Sequence, residues 1–345
     1  MTAIITSAPG KCILFGEHAV VYGHPAVAVA IDQRISIKIQ PSASGMWLLD
    51  GGKLNMKRNP HIKGLIEKLW PVDQGAPPLS IHIEGNIPRS SGLGSSAALS
   101  VALAAALRGA RGRWVTHAET VGQNRWAEGF GSLITASDAY GKSGGFFSTI
   151  EQDKMFLLTG EESVDTDENA ILAHSVEAAA QNGRASPIDS STCSHGGVIV
   201  ISNQVQNDLT YLYKRSLKMP DSERFWHIHE LELGIVPDDI YLVIGNTGIN
   251  APTGKQVAKV AQMLELTPDR MEEIETIGKI AQRGINALMV GDYEAVGRAM
   301  TENQIMLKSI GVSHPQLDVL IKAAAPTCLG AKLTGAGGGG CMIAL

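Results

Sequence analysis

Basic excess is missing from this chain. Its 345 residues carry 29 Lys and Arg against 34 Asp and Glu, a formal net charge of −5. A nucleic-acid binder shows the opposite balance, so no nucleic-acid partner is expected. Long apolar runs are missing too. The longest, VALAAAL (101–107), is far too short to cross a bilayer, so no membrane partner is expected. The opening MTAIITSAPGK has neither a charged stretch nor a long apolar one, and no secretory signal is expected. Cysteine is scarce. Cys12, Cys193, Cys328 and Cys341 lack metal-type spacing and sit in apolar or glycine-rich contexts. They read as free thiols of a reducing compartment, which points to the cytoplasm.

Regular βαβ alternation is absent as well. CILF (12–15) and PAVAVAI (25–31) read as strands joined by GEHAVVYGH (16–24). RISIKIQ (34–40) and LSIHIEG (79–85) alternate apolar and polar residues, the period of half-buried strands. Helices are predicted at about 95–108 and 167–181, the second capped by Asp165 or Thr166. GGVIVIS (196–202) reads as a buried strand, and DIYLVIGNTG (239–248) as a strand entering a turn. Thr267-Pro268 opens a helix, with Thr as N-cap and Met271, Ile274, Ile277, Ala281, Ile285 and Leu288 on one face. Two more helices follow at 293–311 and 315–325, and AKLTGAGGGGCMIAL (331–345) sets a glycine turn between two short strands. Such a mixture is α+β. Residues 109 to about 164 fit none of this. They hold two tryptophans, many glycines and little periodicity, over far more than the roughly 2–8 residues that join packed helices. They read as an inserted excursion or an anomaly.

What the chain does have is clustered glycine. In IPRSSGLGSSAAL (87–99), glycine and serine give way to an Ala/Leu run, so a loop becomes a helix at Ser95 or Ser96. A helix start offers unpaired N–H groups and the positive end of a dipole. Gly92 and Gly94 remove the side chains that would hold an anion off that backbone. The loop reads as phosphate-binding, its simpler reading being a turn and cap. A serine hydroxyl there could also hold a metal ion bridging two phosphates. ASDAYGKS (136–143) nearly matches the G-x-x-x-x-G-K-[ST] pattern. Gly144, Gly145, Phe146 and Phe147 follow instead of a helix, so it reads as a chance match. His227 and His229, beside Glu230, form a His-x-His pair without a third ligand and read as a solvated surface pair. His174 and His195 read as structural.

Three further stretches complete a pattern: APGKCILFGEHAVVYGH (8–24), ASPIDSSTCSHGG (185–197) and KLTGAGGGGCMIAL (332–345). With the glycine-serine loop they make four separated motifs in one order. In this the chain resembles the GHMP kinase superfamily, over residues 1–108 and about 166–345, and GEHAVVYG is most like its mevalonate kinase branch. The resemblance implies a two-domain α+β fold with the active site between domains. An N-terminal domain related to ribosomal protein S5 domain 2 would span 1–200, with the insertion at about 109–164. A ferredoxin-like α/β sandwich would span 201–345. The implied reaction moves the γ-phosphate of ATP to the 5-hydroxyl of (R)-mevalonate, with Mg²⁺ as cofactor. Asp189 corresponds to the aspartate near the reacting hydroxyl, and Lys11 to the lysine beside it. Pro88, Ser91, Gly92, Leu93, Gly94, Ser95, Ser96 and Ala97 would bind ATP. Ser96 and Glu177 would hold the metal. Glu17, His18, Gly335, Ala336 and Gly337 would border the substrate. The stretch between Glu177 and Asp189 is one residue longer than the family spacing. Phosphomevalonate kinase, homoserine kinase and a non-catalytic ligand-binding protein of the same fold remain alternatives, and a homodimer is left open.

Overall fold

The computed structural model describes residues 3–70, 72, 76–120, 166–181, 183, 185–218 and 223–345, with side chains from 112 to 120 left aside. The 136–143 stretch, most of the 109–164 excursion and the cap candidate Asp165 lie outside the described residues. The chain forms two compact units, each assembled from three segments: 1–9, 33–86 and 96–180 in the first, 10–32, 87–95 and 181–345 in the second. Two long strands, β1 (Ile4–Phe15) and β2 (Ala26–Pro41), pair with each other. The two strands expected at 25–31 and 34–40 are thus one. Asp32, Gln33 and Arg34 contain no glycine, proline or asparagine to turn the chain between them.

In the first unit, β3 (Leu48–Leu49) and β4 (Gly52–Lys53) form a short antiparallel pair. Helix α1 (Pro60–Leu69) follows, with Pro60 in its first turn and Ile62, Leu65, Ile66 and Leu69 buried on one face. β5 (Leu79–Gly85) pairs antiparallel with the second half of β2, Ile37 opposite Ile83 and Ile39 opposite Ile81. Helix α2 (Ser95–Thr120) begins at the expected serine and runs past residue 108. The reason lies in its arginines. Arg108 is buried, donating from Nη2 to Glu168 Oε2 at 2.5 Å and from Nη1 to Asn169 Oδ1 at 2.7 Å. Both acceptors belong to α3 (Thr166–Ala180), so a cation inside an alanine-rich face is neutralised and the helix continues.

In the second unit, α4 (Ile188–His195) leads into β6 (Val198–Ser202), which pairs with the first half of β2, Ala26 opposite Ile201. Strands β7 (Thr210–Lys218) and β8 (Glu223–Glu230) form a hairpin that extends this sheet through β6–β8 pairing. β9 (Val243–Asn246), β10 (Ala331–Leu333) and β11 (Cys341–Ala344) make a separate antiparallel sheet in the order β10-β11-β9. The helices α5 (Thr253–Leu266), α6 (Met271–Val290), α7 (Tyr293–Ser309) and α8 (Pro315–Ala324) complete the unit. Ile274, Ile277, Leu307, Val312, Leu317, Leu333 and Met342 share one of its cores. The expected cap at Thr267 is not made. Residues Pro268–Arg270 form a 3₁₀ turn and Thr267 makes no side-chain cap, so α6 starts at Met271. By contrast α7 is capped by Asp292, whose Oδ1 accepts from the Ala295 amide at 2.9 Å. No helix among the described residues is long and apolar enough to cross a membrane.

Two glycines separate packing from propensity. A Cβ on buried Gly330 would stand 1.9 Å from the Gly297 carbonyl oxygen, whereas one on Gly254, in the first turn of α5, would meet nothing within 4 Å. Gly330→Ala is expected to lower unfolding free energy by about 1–3 kcal/mol through overpacking. Gly254→Ala should raise it by about 0.4–1 kcal/mol by restricting the unfolded chain. Urea midpoints of the two variants that move in the same direction would contradict this.

Candidate active site

Strand β1 carries Lys11 into the interior of the second unit, where its side chain is 1% exposed. Its amide donates to Leu93 O at 3.0 Å, and Nζ donates to Gly92 O at 3.1 Å. Nζ also pairs with Asp189 Oδ1 at 2.9 Å. Burial pulls the Lys11 pKa down, but the Asp189 charge and hydrogen bond outweigh it and hold it above the ordinary lysine value. Asp189 keeps 34% of its side chain open. It lies in the first turn of α4 rather than in a plain turn. Ser190 and Ser191 hydroxyls donate to Pro187 O and that of Thr192 to Ile188 O, closing this short serine-rich helix. The structure therefore brings Lys11, Asp189 and the 87–95 loop together.

Loop 87–95 is shaped by close backbone approaches. Gly92 and Gly94 adopt φ of 82° and 75°. A Cβ on Gly94 would sit 3.0 Å from Lys11 Cγ, and one on Gly92 2.7 Å from Thr334 O. Ser91 is buried, with Oγ donating to the Pro88 carbonyl at 2.7 Å and its own carbonyl accepting from the Cys341 amide at 2.9 Å. Leu93 is buried, Pro88 is exposed, and Ser95 opens α2. The second glycine run lies on this loop. Gly335, Gly337, Gly338, Gly339 and Gly340 all have positive φ. A Cβ on Gly335 would come within 2.9 Å of Gly92 Cα, and one on Gly340 within 2.5 Å of Ser91 O.

Glu17 and His18 turn the chain after β1. His18 stands at φ 62°, a left-handed conformation rare for a residue other than glycine. Its Nε2 lies 3.0 Å from Ala336 O. A carbonyl only accepts, so Nε2 carries the proton and Nδ1 is the acceptor of the ring. Burial drives the His18 pKa down to about 4. Glu17 is 2% exposed. One of its oxygens pairs with Lys332 Nζ and the other accepts from Asn303 Nδ2 at 2.9 Å. In the first unit, Ser96 Oγ donates to Glu177 Oε1 at 2.9 Å, Ser96 from the exposed first turn of α2 and Glu177 from buried α3. Ala97, in the same turn, is buried. An alcohol and a carboxylate this close are both hard oxygen donors, the kind Mg²⁺ takes.

Residues 60–134 match the family described as GHMP kinases N terminal domain, and residues 284–345 that described as GHMP kinases C terminal. The mevalonate kinase of Methanothermobacter thermautotrophicus is 32% identical over 98% of this chain and 88% of that protein. The chain belongs to the GHMP kinase family. A second relative of this GHMP kinase, the mevalonate kinase of Archaeoglobus fulgidus, is 31% identical over 99% of the chain and 92% of that protein. Among solved structures, the Methanococcus jannaschii mevalonate kinase aligns with a TM-score of 0.64 at 25% identity, covering 99% of this chain and 90% of that one. The two-domain mixed α/β fold of the family is thereby established for this chain. The N-terminal match runs on past residue 108.

Other polar candidates of this GHMP kinase fall away from the site. His229 is not a solvated surface residue: it is buried, and its Nε2 accepts from the Gln206 amide at 3.0 Å. The β7 hairpin partner covers it, with Tyr211 edge-on at 5.6 Å. No cluster of three His, Cys, Asp or Glu able to hold a metal occurs among the described residues. His174 is buried in α3, and His195 stacks on Tyr213 at 5.8 Å. Lys332, Thr334 and Asn303 were not foreseen. Their signal was available: a lysine between Ala331 and Leu333 in a short apolar strand is costly unless paired.

The low His18 pKa has a measurable sign. Protonating His18 opposes folding, so its contribution is present above pH 6.5 and is lost as pH falls through about 4. The full penalty is about 3 kcal/mol. Asn tolerates the left-handed conformation, so His18→Asn should keep the turn and flatten the stability profile between pH 6.5 and 4. Equal slopes for parent and variant in urea unfolding across that window would contradict it.

Proposed function

We propose that this chain is a mevalonate kinase, transferring the γ-phosphoryl group of ATP to the 5-hydroxyl of (R)-mevalonate. The observation that carries the reading is the Lys11–Asp189 pair, an ammonium sealed in the interior and a carboxylate left partly open, set against a glycine loop at a helix start. The substrate is supported by relatives named mevalonate kinase at about 30% identity over nearly the whole chain. Residues 1–200 and 201–345 are read as the N- and C-terminal domains of the family. The free Cys12, Cys328 and Cys341 thiols support a cytoplasmic setting.

Phosphoryl transfer needs little covalent work from a protein; positioning and charge stabilisation do most of it. Asp189 accepts the proton of the 5-hydroxyl as that oxygen bonds to the γ-phosphorus, the bridging bond to the β-phosphate breaks, and ADP leaves. Lys11 stabilises the charge developing on the attacking oxygen and holds the Asp189 carboxyl in place through their 2.9 Å contact. Loop residues from Pro88 to Ala97 receive the ATP phosphates, with Gly92 and Gly94 giving access to N–H groups at the start of α2. Ser96 and Glu177 are the residues that would hold Mg²⁺. When bound, the ion supplies positive charge to the phosphate oxygens. His18 and the Gly335–Gly337 turn border the acceptor.

A coupled ADP-release assay over mevalonate, phosphomevalonate, homoserine and galactose tests the substrate. Turnover of mevalonate above the other three is expected. Asp189→Asn is nearly isosteric, so its melting temperature should stay close to the parent's while kcat falls roughly 10²–10⁴-fold, about 3–5 kcal/mol of barrier. Lys11→Met should show an overlapping, non-additive loss. An Asn variant that turns over within a few-fold of the parent refutes the role of Asp189. Glu177→Gln should raise the Mg²⁺ concentration needed for half-maximal rate, and an unchanged Mg²⁺ dependence would remove Glu177 from the metal site.

A further inference from the structure

We propose that Lys332 is a positioning residue for this reaction, acting through Glu17 to fix the His18 turn against the Gly335–Ala336 turn. The proposal rests on the reading of the chain as a mevalonate kinase. Lys332 is fully buried in β10, a strand whose neighbours Ala331 and Leu333 pack in the core. Its ammonium pairs with Glu17 Oε1 and donates to Leu333 O at 2.6 Å and Ile13 O at 3.3 Å, so every donor is taken. Asn303, reaching from α7, holds the other Glu17 oxygen at 2.9 Å. Thr334, the residue just past the end of that strand, adds a second tie: its Oγ1 accepts from the Ile13 amide at 2.7 Å. The end of β1, the 16–18 turn, α7 and the strand leading into the glycine turn thus meet at one ion pair.

A buried ion pair is weak evidence for a stability role, because apolar residues of similar volume often serve as well or better. This pair has a geometric product instead. The residue after Glu17 is His18, held at φ 62° with Nε2–H on the Ala336 carbonyl. Conformations of this kind persist only where their surroundings over-determine them. Lys332 and Asn303 supply that determination from one side of the turn, and Ala336 from the other. The consequence is a histidine fixed in place and tautomer, with Nδ1 as its acceptor, next to the glycine turn that packs on the 91–92 loop. No part of the network touches Lys11 or Asp189 through a hydrogen bond, so its loss should displace the acceptor substrate more than the nucleotide.

Three variants test this, with mevalonate turnover of the parent measured first. Lys332→Met leaves Glu17 buried without its cation and should lower the melting temperature sharply. Adding Glu17→Gln removes the stranded charge, and the double variant should recover most of that loss. If Lys332 positions the turn, the mevalonate KM of the double variant stays at least about tenfold above the parent's, while the ATP KM changes by less than about twofold. A double variant with restored melting temperature and parent-like mevalonate KM overturns the proposal. Asn303→Leu keeps the ion pair and removes only the second tie. It should shift the mevalonate KM in the same direction by a few-fold, and it decides the matter if the double variant does not fold: no selective shift overturns the proposal. Absence of mevalonate turnover in the parent overturns the substrate reading instead.

Discussion

An ammonium group taken out of water is tolerated only where charge and hydrogen bonds replace the solvent it has lost. Lys11 meets that condition with Asp189 and the Gly92 carbonyl, and much of the second unit is arranged around it. β1 must reach the loop so that the Lys11 amide meets Leu93 O. Gly94 must lack a side chain because the aliphatic stem of Lys11 occupies that space. α4 must begin where it does, because its first turn is what delivers Asp189.

The glycine run at 335–340 answers a second constraint. Two backbones approach one another, and one is held by the Cys341 amide on the Ser91 carbonyl. Cβ atoms at Gly335 and Gly340 would come within 2.9 Å of Gly92 Cα and 2.5 Å of Ser91 O. Left-handed φ at each of five glycines makes this a tight wrapping rather than a hairpin of convenience. The shape of the loop is thus set from both sides, by Lys11 beneath and by the glycine turn across from it.

How much of this could be read beforehand depends on whether the signal was local. The start of α2 at Ser95, the strand at 79–85, the helices at 293 and 315 and the glycine turn were legible because propensity, capping residues and periodicity agree there. The extension of α2 to Thr120 was not, because its arginines look like surface residues until Glu168 and Asn169 are placed beside Arg108. α1 had a clean apolar face at Ile62, Leu65, Ile66 and Leu69 and could have been found. α4 could not: serines and a threonine are poor helix formers, and hydroxyls returning to Pro187 and Ile188 hold it together. Lys11, Asp189, Ser96 and Glu177 stood out as polar residues in recognisable motifs. The Lys332–Glu17–Asn303 network did not, since Glu17 lies 286 residues from Asn303 and 315 from Lys332 and only the fold brings them into contact.

Gly297 and Gly330 add a consequence of a different kind. Each occupies the space a side chain on the other's segment would need, with the Gly330 Cβ position 1.9 Å from the Gly297 oxygen and the Gly297 Cβ position 2.4 Å from the Leu329 backbone. No single replacement at either site has room, and replacing both compounds the clash rather than relieving it. α7 is thereby held in register against the segment entering β10, with the two backbones in direct contact where the glycines meet.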